Sequence, residues 1–329
     1  MLKKGFVGIY ILIVVLVIGI ALFIYFSLIK SSGGLTSLMP SIKNEPLPSP
    51  SGSATIPSGK KFVGIMGSYV EDFATIKSWG GNTAHVYKNP GSTIEIGSAL
   101  QSAKANGLYF MASVAKINQF NDAFDLTSFN SNTSKFLPDL DVVAGDPYFL
   151  GYWLIDEPCN SKKRSQVQAE DFDDLYKAVK AVNPQVPIVI NFGTLECLQG
   201  FTSSSKPGLK FTDIGMFTVT EKKLMQRPSY IAEQAALTKG IKTYDPSIKI
   251  LPQVEAVGLI QKGAPIPSAS WIESAGLSTA KHLDVFDGML FYSFHAFDNV
   301  NFIGDSISNV VNDPAYVSAF KTVFSAALK

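Results

Sequence analysis

The chain has 329 residues, 46% hydrophobic and 12% aromatic, and its 28 basic and 27 acidic side chains leave a formal net charge of +1 at pH 7. That length admits one large domain with a sizeable core. The charge balance offers no basic footprint, which argues against nucleic acid as a partner, since phosphate neutralisation needs clustered Lys and Arg.

The first element in chain order is an apolar run. Lys3 and Lys4 precede it, no charged residue interrupts Phe6 to Ile29, and Lys30 follows. About 20 apolar residues cover the hydrocarbon core of a bilayer, and the exit "SLIKSSGG" lacks the A-x-A-like pattern of a cleaved signal peptide. The expectation is an N-terminal transmembrane helix within residues 1–30, in the membrane through residues 6–29, single-pass, with the N-terminus cytoplasmic and the rest extracytoplasmic by the positive-inside rule. Residues 31–60 are rich in Ser, Pro and Gly and carry neither apolar period, so they read as a disordered linker.

From Lys61 onward, short β-branched or aromatic runs alternate with helical patterns. Strand candidates fall at 61–67, 82–87, 108–114, 149–155, 187–193, 213–219, 249–255 and 288–294. Helical stretches separate them, except that "LQGFTSSSKPGLKFT" after the fifth reads as loop with at most a turn. Eight strand–helix repeats over residues 61–329 predict an α/β fold of the (β/α)8 TIM barrel type. The rival doubly wound sheet normally shows a glycine-rich first turn, and "GIMGSYVEDF" lacks it. An S-x-x-Q box at Ser165 and Gln168 predicts the start of the fourth helix, which makes residues 156–164 loop.

In such a barrel the chemistry sits at the C-terminal ends of the strands. "GYWLIDEPCN" then places Asp156 and Glu157 at the end of strand four, and "LPQVE" places Glu255 at the end of strand seven, across the mouth. Hydrolysis of a glycosidic bond needs one carboxylic acid to protonate the leaving oxygen and one carboxylate to attack or to activate water. Two glutamates facing one bond could supply both. Asp156 reads as a support residue whose charge raises the pKa of Glu157. Tyr87, Asn191 and Tyr292 are candidate substrate contacts on the same rim. His85 and His295 are either hydroxyl-binding or satisfied by protein. No H-x-H or H-E-x-x-H spacing points to a metal, no motif calls for a cofactor, and G-x-S-x-G is absent. Cys159 and Cys197 fall on neighbouring rim loops, where a disulfide would brace the strand-four loop in an oxidising compartment.

The endings "YWLIDEP" and "LPQVE" resemble those of the large (β/α)8 clan of glycoside hydrolases that carry an acid/base glutamate on strand four and a nucleophile glutamate on strand seven. The resemblance implies that Glu157 is the acid/base, Glu255 the nucleophile, the mechanism retaining and the substrate a poly- or oligosaccharide. The chain departs from that pattern at Asp156, where the clan has Asn, at His85, where an Arg is common, and at Phe294 and His295, where strand eight usually ends in Trp. A surface carbohydrate-binding barrel without catalysis is the alternative those departures leave open.

Overall fold

The computed structural model describes residues 56–88, 95–114, 141–158, 168–204, 208–258, 265–295 and 305–329. The expected anchor, nearly all of the linker, Cys159 and Ser165 lie outside the described residues. Among those described, no helix is long and apolar enough to cross a membrane.

Eight parallel strands close into a barrel in chain order. They are β1 (Phe62–Ser68), β2 (Thr83–Lys88), β3 (Tyr109–Val114), β4 (Phe149–Asp156), β5 (Ile188–Asn191), β6 (Ile214–Val219), β7 (Lys249–Glu255) and β8 (Gly288–Tyr292). Buried on both faces, the strands read as near-continuous apolar runs, as parallel sheets do. Phe62–Ser68, for instance, is buried throughout. The two faces feed two cores. Phe62, Met66, Met111, Leu150, Trp153 and Leu290 fill the lumen together with neighbours such as Val189 and Met216. A larger outer cluster lies under the helices. Gly64 is required by the close approach of β1 and β2, since a Cβ there would lie 1.7 Å from the Thr83 carbonyl oxygen.

The helices are α1 (Phe73–Ser78), α2 (Ile96–Ala105), α3 (Ala169–Val182), α4 (Leu195–Ser204), α5 (Glu221–Gln226), α6 (Tyr230–Tyr244), α7 (Ala269–Ala280) and α8 (Pro314–Ala327). Two sequence expectations need correction here. The "LQGFTSSS" segment is helical as α4, because Leu195 and Leu198 are buried one turn apart and Phe201 packs beside them on the outer core; its serines misled the sequence reading. Helix α3 starts at Ala169, with Gln168 as the N-cap, and the Gln168 N–H donates to Asp171 Oδ2 at 2.7 Å. The cap is therefore built on Gln168 and Asp171, not on Ser165 and Gln168.

At the N-terminal end of the strands, aspartates are matched with lysines. Asp146 meets Lys104 at 2.7 Å, Asp213 meets Lys180 at 2.8 Å, Asp245 meets Lys210 at 2.6 Å and Asp287 meets Lys242 at 2.7 Å. Asp213 and Asp287 also accept the Ile188 and Ile250 N–H groups, so they close the strand starts as well as neutralising the lysines.

Candidate active site

Strand β4 delivers two adjacent carboxylates to the mouth, which a regular strand cannot do because successive side chains alternate between faces. The ladder to β5 shifts register between Trp153 and Ile155, and Asp156 comes level with Asn191. Glu157 then takes φ +44, the one positive φ at a non-glycine among the described residues. Left-handed backbone at such a residue costs about 1–2 kcal/mol and tends to collect at functional sites. The Glu157 N–H is held by the Asn191 carbonyl at 2.7 Å. The outcome is that the two side chains reach adjacent partners, Asn191 of β5 and Thr218 of β6. Asp156 Oδ1 accepts from Asn191 Nδ2 at 2.8 Å, and Thr218 Oγ1 donates weakly to Glu157 Oε1 at 3.4 Å. Gly193, at φ +71, lies beneath Glu157, and a Cβ there would stand 3.1 Å from Glu157 Cγ.

Glu255 ends β7 in register with Tyr292 of β8. Burial pushes its carboxyl up to about 8; Lys223 pulls it down, and the charges of Glu157 and Asp156 push it up again. Asp156 is the one exposed residue of β4. The protein packed around its carboxyl first, and the Glu157 charge second, raise it to about 7, against the Asn191 bond. Asp156 and Glu255 are therefore both held toward the protonated form near neutrality, each in part by neighbouring negative charge.

The cation facing this group is one the sequence reading missed. Lys223 sits in the first turn of α5, where Thr220 caps the helix by accepting the Lys223 N–H at 3.0 Å. Its Nζ donates to the Gly193 carbonyl at 2.8 Å and the Thr218 carbonyl at 2.9 Å, with the Tyr230 hydroxyl at 3.5 Å. A lysine in the first turn opposes the positive end of the helix dipole, and that unfavourable position in "TVTEKKL" was the signal available.

The remaining candidates divide by depth. The Tyr87 and Tyr292 hydroxyls bond to each other, and both rings feel the Asp156 charge, so this pair borders the carboxylates. Asn191 is buried and spent on protein: beyond Asp156 it accepts the Gly193 N–H at 3.0 Å and contacts Gln253 Oε1 at 3.5 Å. His85 is fully enclosed. Its Nδ1 accepts the Gly67 N–H at 3.3 Å, which leaves the proton on Nε2 to serve Ser113 Oγ at 3.1 Å, and burial drops its pKa to about 3. It is a neutral ring that packs edge-on to Tyr87, 4.5 Å between centroids, with no nitrogen left for a sugar hydroxyl. His295 bonds Asp72 at 2.7 Å and lies against Tyr69 near the β1 end. Among the described residues, no contact joins His295 to the carboxylates. Cys197, buried on α4, is disulfide-bonded, whereas Cys159 lies outside the described residues. Among the described residues no group of three or more His, Cys, Asp or Glu is placed to hold a metal ion.

The chain is a TIM barrel with Asp156, Glu157 and Glu255 at its strand ends, and the barrel fold is one that glycoside hydrolases of known structure share. Three such structures illustrate the likeness. The β-D-glucuronidase from Dictyoglomus thermophilum matches with TM-score 0.54 and 14% identity over 81% of this chain and 50% of that one. The mannanase catalytic domain from Streptomyces sp. SirexAA-E matches with TM-score 0.53 and 15% identity over 86% and 97%. The FMN-binding beta-glucuronidase from Facaelibacterium prausnitzii L2-6 matches with TM-score 0.52 and 14% identity over 85% and 45%. The chain thus spans about half the length of the two glucuronidases and nearly all of the mannanase domain. At these identities the likeness establishes the fold. No protein-family model and no curated protein matches the sequence.

Proposed function

We propose that the protein is a retaining glycoside hydrolase acting on a poly- or oligosaccharide, with Glu157 as acid/base and Glu255 as nucleophile. The observation that carries this reading is the placement of two mutually interacting glutamates at the ends of β4 and β7, around one lysine. In the first step Glu157 gives its proton to the glycosidic oxygen as the C1–O bond breaks, and the Glu255 carboxylate bonds to C1. In the second, Glu157 takes a proton from water, the water oxygen bonds to C1, and Glu255 leaves as carboxylate. Asp156 tunes the pair, and Tyr87 and Tyr292 border the sugar.

The test uses a panel of activated aryl glycosides, whose leaving group hardly needs protonation. Glu255→Ala should lose at least about 10³-fold in turnover. Glu157→Ala should keep the first step, slow the second, and recover with azide, which attacks without a base. Full activity in both variants would leave only the binding-barrel reading.

We also propose that residues 6–29 anchor the chain in a membrane with the barrel outside, and that Cys197 pairs with Cys159. The uninterrupted apolar run supports the first, and the disulfide at Cys197, with Cys159 the other cysteine of the chain, supports the second. A mature N-terminus beginning after residue 30 would defeat the anchor. Two free thiols in unreduced, denatured protein would defeat the pairing.

A further inference from the structure

Lys223 differs from the lysines at the opposite end of the barrel. Four of those, Lys104, Lys180, Lys210 and Lys242, are each held in an ion pair with one aspartate, while Lys61 donates to the Phe286 carbonyl at 2.8 Å. Lys223 has no described carboxylate within ion-pair distance; its nearest partners are the Gly193 and Thr218 carbonyls. Both carbonyls are acceptors only, so the nitrogen must remain a donor. The Tyr230 ring flanks it, 5.3 Å from Nζ to the ring centroid, and Arg227 lies on the same ring at 5.2 Å. Burial lowers the pKa of this enclosed amine, the charges of Glu157, Glu255 and Glu196 favour its ammonium form, and Arg227 opposes it.

We propose that Lys223 is a positioning residue that supplies the fixed positive charge against which Glu255 ionises, while its bonds to Gly193 and Thr218 hold the surface on which Glu157 rests. The proposal builds on the hydrolase reading and adds a residue for which neither strand-end motif provides. Its geometric basis is the shared scaffold: Gly193 lies under Glu157, Thr218 donates to Glu157, and the same two residues offer their carbonyls to Lys223. The titratable and charged groups around Glu255 are Asp156 and Glu157 from β4, Lys223 from α5 and Tyr292 from β8, with Tyr87 of β2 behind Tyr292 and with Glu196, Arg227 and Tyr230 behind Lys223. Lys223 and Arg227 are the cations in that set, and Arg227 is committed to Glu196 and Glu233.

Because an ammonium favours the carboxylate over the acid, removing it makes Glu255 harder to ionise. In Lys223→Met and Lys223→Gln the acid-side midpoint of kcat/KM should move up by about one pH unit or more, so that activity falls roughly 10-fold or more at pH 6 and recovers toward wild type at pH 9. Lys223→Arg should keep the wild-type midpoint. A purely structural lysine would lower activity equally at every pH. The Gln variant keeps an amide NH2 whose two N–H groups can serve the two carbonyls, which guards against a Met variant that does not fold. The activity-independent readout is the ¹³C titration of Glu255 in the full chain, assigned with Glu255→Gln. An upward midpoint in the Met or Gln variant, with none in Arg, upholds the proposal even if no glycoside is cleaved, in which case only the hydrolase reading falls. An unchanged midpoint in whichever uncharged variants fold overturns it, whatever the activity.

Discussion

The two ends of the barrel use the same residue types to opposite effect. At the strand starts, burial opposes the charges of Asp146 and Asp245, but their bonds to Lys104 and Lys210 outweigh it and hold both carboxyls below the usual range. At the mouth burial wins, leaving Asp156 at about 7 and Glu255 at about 8. The difference is the supply of cations: at the starts Asp146, Asp213, Asp245 and Asp287 each meet a lysine within 2.8 Å, whereas among the described residues no lysine lies within ion-pair distance of Asp156, Glu157 or Glu255. An ion-paired carboxylate is fixed in its charged form and contributes to stability. Carboxyls left without such a partner, as Asp156 and Glu255 are, keep their protons to higher pH, the kind of perturbation found where acid/base chemistry is done.

That contrast can be broken from either end. The largest effect should come from the strand-start end, where Asp287→Ala removes the ion pairs of Lys242 and Lys249, leaves Lys242 to the Val285 carbonyl and strands the Ile250 N–H; unfolding in denaturant should show a loss of about 3–5 kcal/mol, with turnover per folded molecule unchanged. At the mouth the sign reverses with pH. The folded-state pKa of Glu255 lies above its unfolded value, so its protonated form contributes stability below the unfolded pKa, and that contribution is lost as pH rises through about 8. Glu255→Gln should therefore be more stable than wild type by about 1–3 kcal/mol at pH 9, after allowance for partial solvent screening, and no more stable at pH 4, while turnover is lost. The same shifts predict that kcat/KM rises through neutrality, with its acid-side midpoint near pH 7–8 and not near pH 4–5. Smallest of all, Arg227→Ala should cost under about 1 kcal/mol, because its pairs with Glu196 and Glu233 are exposed.

Much of this was legible in the sequence, because a strand buried on both faces is an uninterrupted apolar run. "KILPQVE" matches β7 residue for residue, and "FLGYWLI" misses β4 by one residue. Glu157 and Glu255 were likewise legible as strand ends. What failed depended on three dimensions. His85 was placed on the rim, but β2 continues to Lys88, so Tyr87 occupies the layer above and closes over it. Helix α4 was hidden by serines that propensity assigns to loop, although Leu195 and Leu198 tie it to the core. Lys223 reaches the site through a long side chain from a short helix, and no period in the sequence records that reach.

The account turns on Glu255 as the group that bonds to C1. Sugars bearing fluorine at C2 and a good leaving group, offered as a panel to the full chain, destabilise the oxocarbenium-like transition state and let a covalent intermediate accumulate. Peptide mapping by mass spectrometry should find one glycosyl adduct, on Glu255, that forms in the Glu157→Ala variant too and is absent in Glu255→Gln. An adduct on another residue, or glycoside turnover that never yields a covalent species, would contradict the assignment.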